Sequence, residues 1–314
     1  MNQNKLVAGV DGINEKLNSF ADNVSNSSWM SKMFGRHSPD EVEAVFMVGT
    51  SETTPSLDSI EARFPCPWVF SRMLFCSILL YIAFLLLHGI FGNFKLIPAQ
   101  FFVGAFAVPI SVLCLFFELN ILRNVSVYRV ARFVFVGGVL SLFYSLLMYL
   151  FHLGESTIFW AGPIEELGKL LAMIVVAEGS GKLKSSSILG VLGLPFDLLI
   201  GKGVASGKQY KWILNGLLFG ASVGVGFAVF ETMGYAFESF FSALSVGGDF
   251  NDAVIAMQQN IFVRGVLSPF CHVVWSAICG GALWSVRNDG EWHWHRLLHL
   301  RLLAFVIVAS FLNG

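Results

Sequence analysis

The sequence has few charged residues, and this shortage says most about its class. Only 13% of its 314 residues are Asp, Glu, Lys or Arg, whereas 55% are hydrophobic, and the mean hydropathy is +0.68. A soluble domain carries about a quarter charged residues. The net charge of −1 provides no basic face for phosphates, which argues against nucleic acid as a partner. The composition indicates a helical bundle in the lipid bilayer.

Paired cysteines and a zinc-protease motif are also missing. No two cysteines form a CxxC pair, no HExxH occurs, and residues 1–30 lack the basic start and apolar core of a signal peptide. We therefore expect reduced packing cysteines rather than disulfides, and a first span that acts as its own insertion signal. The cysteines are Cys66, Cys76, Cys114, Cys271 and Cys279.

Long apolar runs predict an all-α fold, a polytopic transmembrane helical bundle with about seven spans. Each run is near or above the ~20 residues needed to cross ~30 Å of hydrocarbon. The run 188–200 is too short, and we expect it to lie at the interface or to re-enter the membrane. The spans are predicted at 68–91, 99–120, 132–152, 158–178, 212–243, 261–285 and 297–313.

A polar segment precedes the first span. Residues 1–66 are rich in Ser, Asn, Asp and Glu, and the stretch Gly49 to Leu57 is typical of a flexible loop. We predict a soluble, partly disordered N-terminal tail at 1–66 that acts as a linker or regulatory segment. The transmembrane domain is then predicted at 67–314.

The distribution of Lys and Arg predicts the orientation. The loops after the second, fourth and sixth predicted spans each hold at least two of these residues, whereas the alternate loops hold only Lys95. Cytoplasmic loops carry the excess of positive charge. We therefore predict a multi-pass protein of the cell (inner) membrane with a cytoplasmic N-terminus and an external loop at 244–260.

Ionisable side chains fall inside three predicted spans, where each costs several kcal/mol. At 1.5 Å per residue, several of them lie at roughly 10–18 Å below the outer face. Their shared depth predicts one polar site in the outer half of the membrane. The residues are Glu165, Glu166 and Lys169 in the fourth span, Glu231 in the fifth, and Arg264 and His272 in the sixth.

These residue types suit hydrolysis, but structural roles remain open for each. A buried carboxylate such as Glu165 can act as a general base on water, and Lys169 at i,i+4 can offset its charge. Glu231 could hold the water, and His272 could donate to an oxyanion. The structural alternatives are an ion pair between Glu165 and Lys169, a helix-packing contact for Glu231 and a bridging hydrogen bond for His272. For Arg264 they are an interface position or a partner for a buried glutamate.

The fifth span also carries a glycine repeat. Gly216, Gly220 and Gly224 form GxxxGxxxG, which predicts a face for close helix packing and carries no catalytic meaning.

The ordered motifs resemble the PrsW family of intramembrane proteases, which is similar to the type II CAAX prenyl endopeptidases. Glu165–Lys169 matches the EExxK of that family, and Phe227–Glu231 matches its FxxxE. The stretch Arg264–Trp275 is similar to its Arg-Pro-His-Trp helix, and 117–126 resembles the segment after an early span. EExxK alone is a weak signal, but four pieces in order, each in the right span, are specific.

The resemblance implies a membrane endopeptidase that cleaves single-span membrane proteins by glutamate-activated water near the outer membrane face. Some family members make the first, site-1 cut in an anti-sigma factor. By carry-over, the catalytic residues are Glu165, Glu166, Glu231 and His272, and the supporting residues are Lys169, Phe227, Arg264, Ser276 and Asn313.

The sequence predicts no cofactor, although members of the family are described as metalloproteases. One His with carboxylates is a poor match to the three-ligand zinc sites of soluble proteases. If a metal such as zinc binds, its ligands are expected to be Glu165, Glu231 and His272.

The last predicted span departs from the family pattern of a His followed four residues later by Asp or Asn. Ala309 stands at the His position, although Asn313 fits the last one, and Ser276, four after His272, is neither Asp nor Asn. The site could work with His272 alone, or the chain could be a shortened or less active variant. It could also be a catalytically silent scaffold or binding protein, like the gamma-secretase scaffold subunit. A transporter is a third reading, opposed by the lack of an internal repeat.

Overall fold

The chain is all-α wherever its fold can be described, as the apolar runs predict. The short run 188–200 and residues 1–44 lie outside the described part. The computed structural model describes residues 45–50, 52–60, 65–151, 157–178, 208–268, 272–287 and 297–313.

Eight helices follow one another within the described ranges, with short 3-10 turns at Leu57–Ser59, Phe94–Leu96 and Lys208–Tyr210. The helices are α1 (Val69–Phe91), α2 (Ile97–Leu119), α3 (Val127–Arg132, a π-helical turn at Phe133–Gly137, and Gly138–Phe151), α4 (Thr157–Glu178), α5 (Ile213–Ser245), α6 (Phe250–Ser268), α7 (Val274–Ser285) and α8 (Leu300–Asn313).

The chain is a multi-pass membrane protein. In the described ranges, four helices are long and apolar enough to cross a bilayer: Val69–Phe91, Phe94–Leu119, Val127–Leu150 and Ile213–Ser245. The helices α7 and α8 are apolar but shorter. Helix α4 has 22 residues, enough to cross, but its glutamates and lysine make it less apolar. The count of seven spans and the orientation stay predictions.

The sequence predicts a loop at 244–260, and this prediction is wrong, because α6 begins at Phe250. Asp249 and Asp252 form a reciprocal cap: the Asp252 N–H donates to Asp249 Oδ1 at 2.9 Å, and the Asp249 N–H donates to Asp252 Oδ2 at 3.0 Å. Such a box starts a helix. The predicted span 261–285 therefore falls on two helices, α6 and α7, and the connection between α5 and α6 is a tight turn with Gly247 at φ 90°.

A labelling experiment tests the orientation. Ser245 is exposed at the end of α5, beside that turn. We expect a Ser245→Cys variant to react with a membrane-impermeant thiol reagent in intact cells, relative to the parent chain with its native cysteines. Reaction of a Ser206→Cys variant instead would reverse the orientation.

The described part of the predicted tail packs on the bundle. The Gly49 N–H donates to the Arg123 carbonyl at 3.0 Å, and the Phe46 ring stacks on Phe117 with 6.0 Å between centroids. Val48 is buried. The loop that the sequence predicts to be flexible is thus hydrogen-bonded, at its first residue Gly49, to the turn that follows α2. The domain boundary at residue 66 stays a prediction.

The segment 117–126 joins several helix ends. Glu118 accepts hydrogen bonds from three backbone N–H groups at the start of α1, at 2.8 to 3.0 Å. A carboxylate at this position satisfies donors that a helix leaves unpaired. The Asn215 side chain of α5 donates to Asn124 Oδ1 at 2.7 Å. These contacts give Glu118 and Asn124 architectural roles.

Helix α5 is the centre of the bundle. It packs against α2, α3, α4, α6 and α7, and 78% of its most apolar window is buried, against 0% for α1. A Cβ atom on Gly216, Gly220 or Gly224 would collide with the backbone of α7 or of the two residues before it. The predicted close-packing face is confirmed, and it brings Glu231 of α5 close to His272.

The glycine face gives a matched stability test. Gly220→Ala places a methyl group against the Ser276 carbonyl, whereas Gly234, on the same helix, has nothing within 4 Å of an added Cβ. Overpacking of this kind costs about 1–3 kcal/mol. We expect Gly220→Ala to lower the unfolding temperature in detergent and Gly234→Ala to leave it unchanged or slightly raised. Equal temperatures for the two variants would contradict the α5–α7 packing.

Candidate active site

Helix α4 contributes two glutamates and a lysine with different surroundings. Lys169 Nζ lies 2.8 Å from Glu166 Oε1 and 3.9 Å from Glu165 Oε2. Glu166 is 0% exposed and the Lys169 side chain 2%, while the Glu165 side chain keeps 12%. Residues three and four apart share a helix face, so one ammonium can serve both carboxylates. Glu166 is the closer partner of Lys169, and Glu165 is the more accessible carboxylate.

His272 lies just before α7 and links α4 to α5. Lys169 Nζ is 3.0 Å from His272 Nδ1, and His272 Nε2 is 2.9 Å from Glu231 Oε2. A charged ammonium has no lone pair, so it donates and Nδ1 accepts. This contact assigns the imidazole proton to Nε2, which faces the Glu231 carboxylate.

Arg264 of α6 closes the cluster from the other side. Its Nη2 lies 2.7 Å from Glu231 Oε2, and its guanidinium covers the Tyr235 ring with 3.9 Å to the centroid. Of the two roles that the sequence leaves open for Arg264, partner of a buried glutamate is the one observed.

Phe227, the aromatic residue of the FxxxE motif, lies beside two residues of the site. The Lys169 ammonium lies 4.2 Å from the centroid of the Phe227 ring, and that ring lies 5.2 Å from the His272 ring. The negative face of an aromatic ring attracts a cation, more strongly where water is excluded. Phe227 therefore packs against both Lys169 and His272.

The remaining two predicted supporting residues are Ser276 and Asn313. Ser276 is buried one turn after His272, and with Glu166 and Lys169 it lines a void of about 10 Å³. Its Oγ has no hydrogen-bond partner in the described part of the chain. Ala309 is fully buried in α8, which packs against α4 and α7. The side chain of Asn313 lies outside the described part.

Residues 95–314 match one known family, described as PrsW family intramembrane metalloprotease. The match covers well over half of the chain. The chain belongs to the PrsW family. It is therefore an intramembrane endopeptidase by family. No curated protein and no protein of known structure gives a significant match.

The family name of this PrsW chain implies a metal, and three side chains could hold one. Glu165, Glu231 and His272 each offer a ligand atom, and these atoms lie within 4.8 Å of one another. Two cations already contact these ligand atoms: Lys169 contacts His272 Nδ1, and Arg264 contacts Glu231 Oε2. A divalent ion bound through Nδ1 would have to displace the ammonium and would be repelled by both cations.

Sequence reasoning missed two tyrosines at this PrsW site. Tyr235 lies one turn after Glu231, a spacing visible in the sequence. Tyr149 of α3 lies within electrostatic range of Glu165 and Glu231. No sequence signal marks it, because its position depends on how α3 packs on α4.

Proposed function

We propose that this protein cleaves single-span membrane proteins with a water molecule activated by Glu165. One observation carries the proposal: the two adjacent glutamates are not equivalent. Glu166 is fully buried and 2.8 Å from the Lys169 ammonium, which suits a permanent counter-ion. Glu165 is partly exposed, 3.9 Å from that ammonium and 3.7 Å from His272 Nδ1. A general base must be reachable by water and by the substrate.

The reaction then needs no group beyond the side chains and water. Glu165 takes a proton from water as the oxygen attacks the carbonyl carbon of the scissile peptide. A C–O bond forms, and the carbonyl oxygen becomes an oxyanion. When the intermediate collapses, the C–N bond breaks and Glu165 gives its proton to the leaving nitrogen. The products are a carboxylic acid and an amine, and Glu165 is again a carboxylate.

The other charged groups hold this arrangement in place. The Lys169 ammonium lies opposite the two α4 carboxylates as their counter-ion in a low-dielectric setting. Glu231, between His272 and Arg264, fixes the imidazole orientation through Nε2. Both ring nitrogens of His272 face protein groups, so we assign it a positioning role rather than the oxyanion contact that the sequence suggests.

A metal ion at Glu165, Glu231 and His272 would act as a Lewis acid on water or carbonyl. No step above depends on it. The family name supports a membrane-anchored protein as substrate, and an anti-sigma-type protein cut at a first site is our specific candidate.

A silent scaffold of the same fold is the second candidate. It is favoured by Ala309, an apolar, fully buried residue where the family pattern has a His.

A cleavage assay separates the two. We would reconstitute the purified chain with single-span substrates and compare it with Glu165→Gln and with Glu238→Gln, which alters an exposed glutamate of α5. Enzyme activity predicts products from the parent and from Glu238→Gln but not from Glu165→Gln. Absence of products from all three, across substrates that a known intramembrane protease cuts, would favour the scaffold.

A further inference from the structure

Two tyrosines, Tyr235 and Tyr149, lie near Glu165 and Glu231, the two carboxylates of the cluster that keep some exposure. Tyr235 follows Glu231 by four residues on α5, and its ring is covered by Arg264. Residues four apart lie on the same helix face. Tyr235 is therefore on the Glu231 side of α5, next to the ion pair.

The packing of α3 on α4 places Tyr149. The two helices pack against each other and are joined by only five residues, so they run antiparallel. A Cβ on Gly168 would lie 2.5 Å from Ser145 Oγ, which sets the register. One turn forward from Ser145 is Tyr149, and about one turn back from Gly168 is Glu165. Tyr149 accordingly lies within electrostatic range of Glu165, Glu231 and Tyr235.

The proposed reaction requires a hydrogen-bond donor for the oxyanion that forms on the scissile carbonyl. His272 accepts at Nδ1 and directs Nε2–H at Glu231. Lys169 contacts Glu166 and His272, and Arg264 contacts Glu231. The donor atoms named here face protein groups, whereas Arg264 Nε has no hydrogen-bond partner in the described part of the chain, on a guanidinium whose charge Glu231 already balances. A phenol is a neutral donor whose ring tolerates an apolar environment, so it suits a site within the membrane.

We propose that Tyr149 donates its phenolic O–H to the oxygen of the scissile carbonyl and stabilises the oxyanion of the intermediate. This inference rests on the proposed function and adds a catalytic residue to it. The hydroxyl keeps its proton throughout: the hydrogen bond strengthens as negative charge develops on the oxygen, and it weakens when the C–N bond breaks. Tyr235 is assigned a positioning role, because its ring holds Arg264 over Glu231.

The test compares Tyr149→Phe with Tyr144→Phe. Both tyrosines lie on α3, and Tyr144 packs on the core and beside Phe143, with 5.7 Å between ring centroids. Removal of one oxyanion donor lowers kcat by about 10²–10³-fold. For Tyr149→Phe we expect a loss of that size in kcat, with KM and unfolding temperature near those of the parent. For Tyr144→Phe we expect kcat within about twofold of the parent, because the substitution keeps the packed ring and removes a hydroxyl away from the charged cluster.

The outcomes separate this inference from the proposed function. Parent-like kcat in Tyr149→Phe would overturn the tyrosine assignment while the Glu165 mechanism stands. A rise in KM with unchanged kcat would also overturn it, because it would show a role in substrate binding alone. Absence of cleavage by the parent chain would overturn the proposed function, and this inference with it.

Discussion

Glu165→Gln is expected to lower the cleavage rate by about 10²–10⁴-fold without lowering the unfolding temperature. Glutamine keeps the size of the side chain but cannot take a proton from water. The stability should hold because Glu165 is partly exposed and is the more distant carboxylate from Lys169, at 3.9 Å. Initial rates on one purified single-span substrate, with thermal unfolding of the same preparations, measure both quantities.

Glu166→Gln is the matched comparison, one residue away on the same helix. It removes the carboxylate that lies 2.8 Å from a buried ammonium, so we expect a marked loss of stability in addition to any loss of rate. If Glu166→Gln keeps the parental unfolding temperature, or if Glu165→Gln retains parental activity, the division of roles between the two glutamates is wrong.

The second large effect concerns the ion pair itself. Lys169→Met leaves the carboxylate of fully buried Glu166 without its closest cation, and breaking a buried pair costs about 3–5 kcal/mol. Replacing both partners removes both buried charges. The double variant with Glu166→Gln and Lys169→Met is therefore expected to be more stable than the Lys169→Met single variant.

Chemical or thermal unfolding in detergent measures the stability of the parent, the two single variants and the double variant. Lys211→Met is the control, because Lys211 is exposed beside the Trp212 ring, at 5.2 Å to its centroid. Exposed substitutions change stability by within about 0.5 kcal/mol. Additive losses in the double variant would show that the two residues do not interact as a buried pair.

The sequence predicts the membership of the site better than its internal arrangement. Buried charge in a membrane is so costly that Glu165, Glu231 and His272, on separate predicted spans at one depth, were expected to meet. In the structure they do lie together. Their catalytic roles stay predictions, and so does the membrane face toward which the site opens.

The arrangement depends on rotation and register, which composition does not encode. Glu165 and Glu166 are neighbours in the same motif, yet only the rotation of α4 decides which one is fully buried. The start of α6 falls inside the predicted loop 244–260, because composition does not show that Asp249 and Asp252 each accept a hydrogen bond from the other's backbone N–H. The position of Tyr149 within electrostatic range of Glu165 depends on the close approach of α3 to Gly168.

Metal dependence of the purified enzyme tests most directly whether Glu165 activates water without a metal ion. The measurement is the cleavage rate before and after treatment with a strong chelator, with elemental analysis of the same protein and Glu165→Gln as the inactive reference. We expect the treated parent enzyme to contain less than stoichiometric metal and to keep its rate. Stoichiometric zinc in the active protein, with activity abolished by the chelator and restored by zinc, would contradict the account and assign Glu165, Glu231 and His272 to a metal centre.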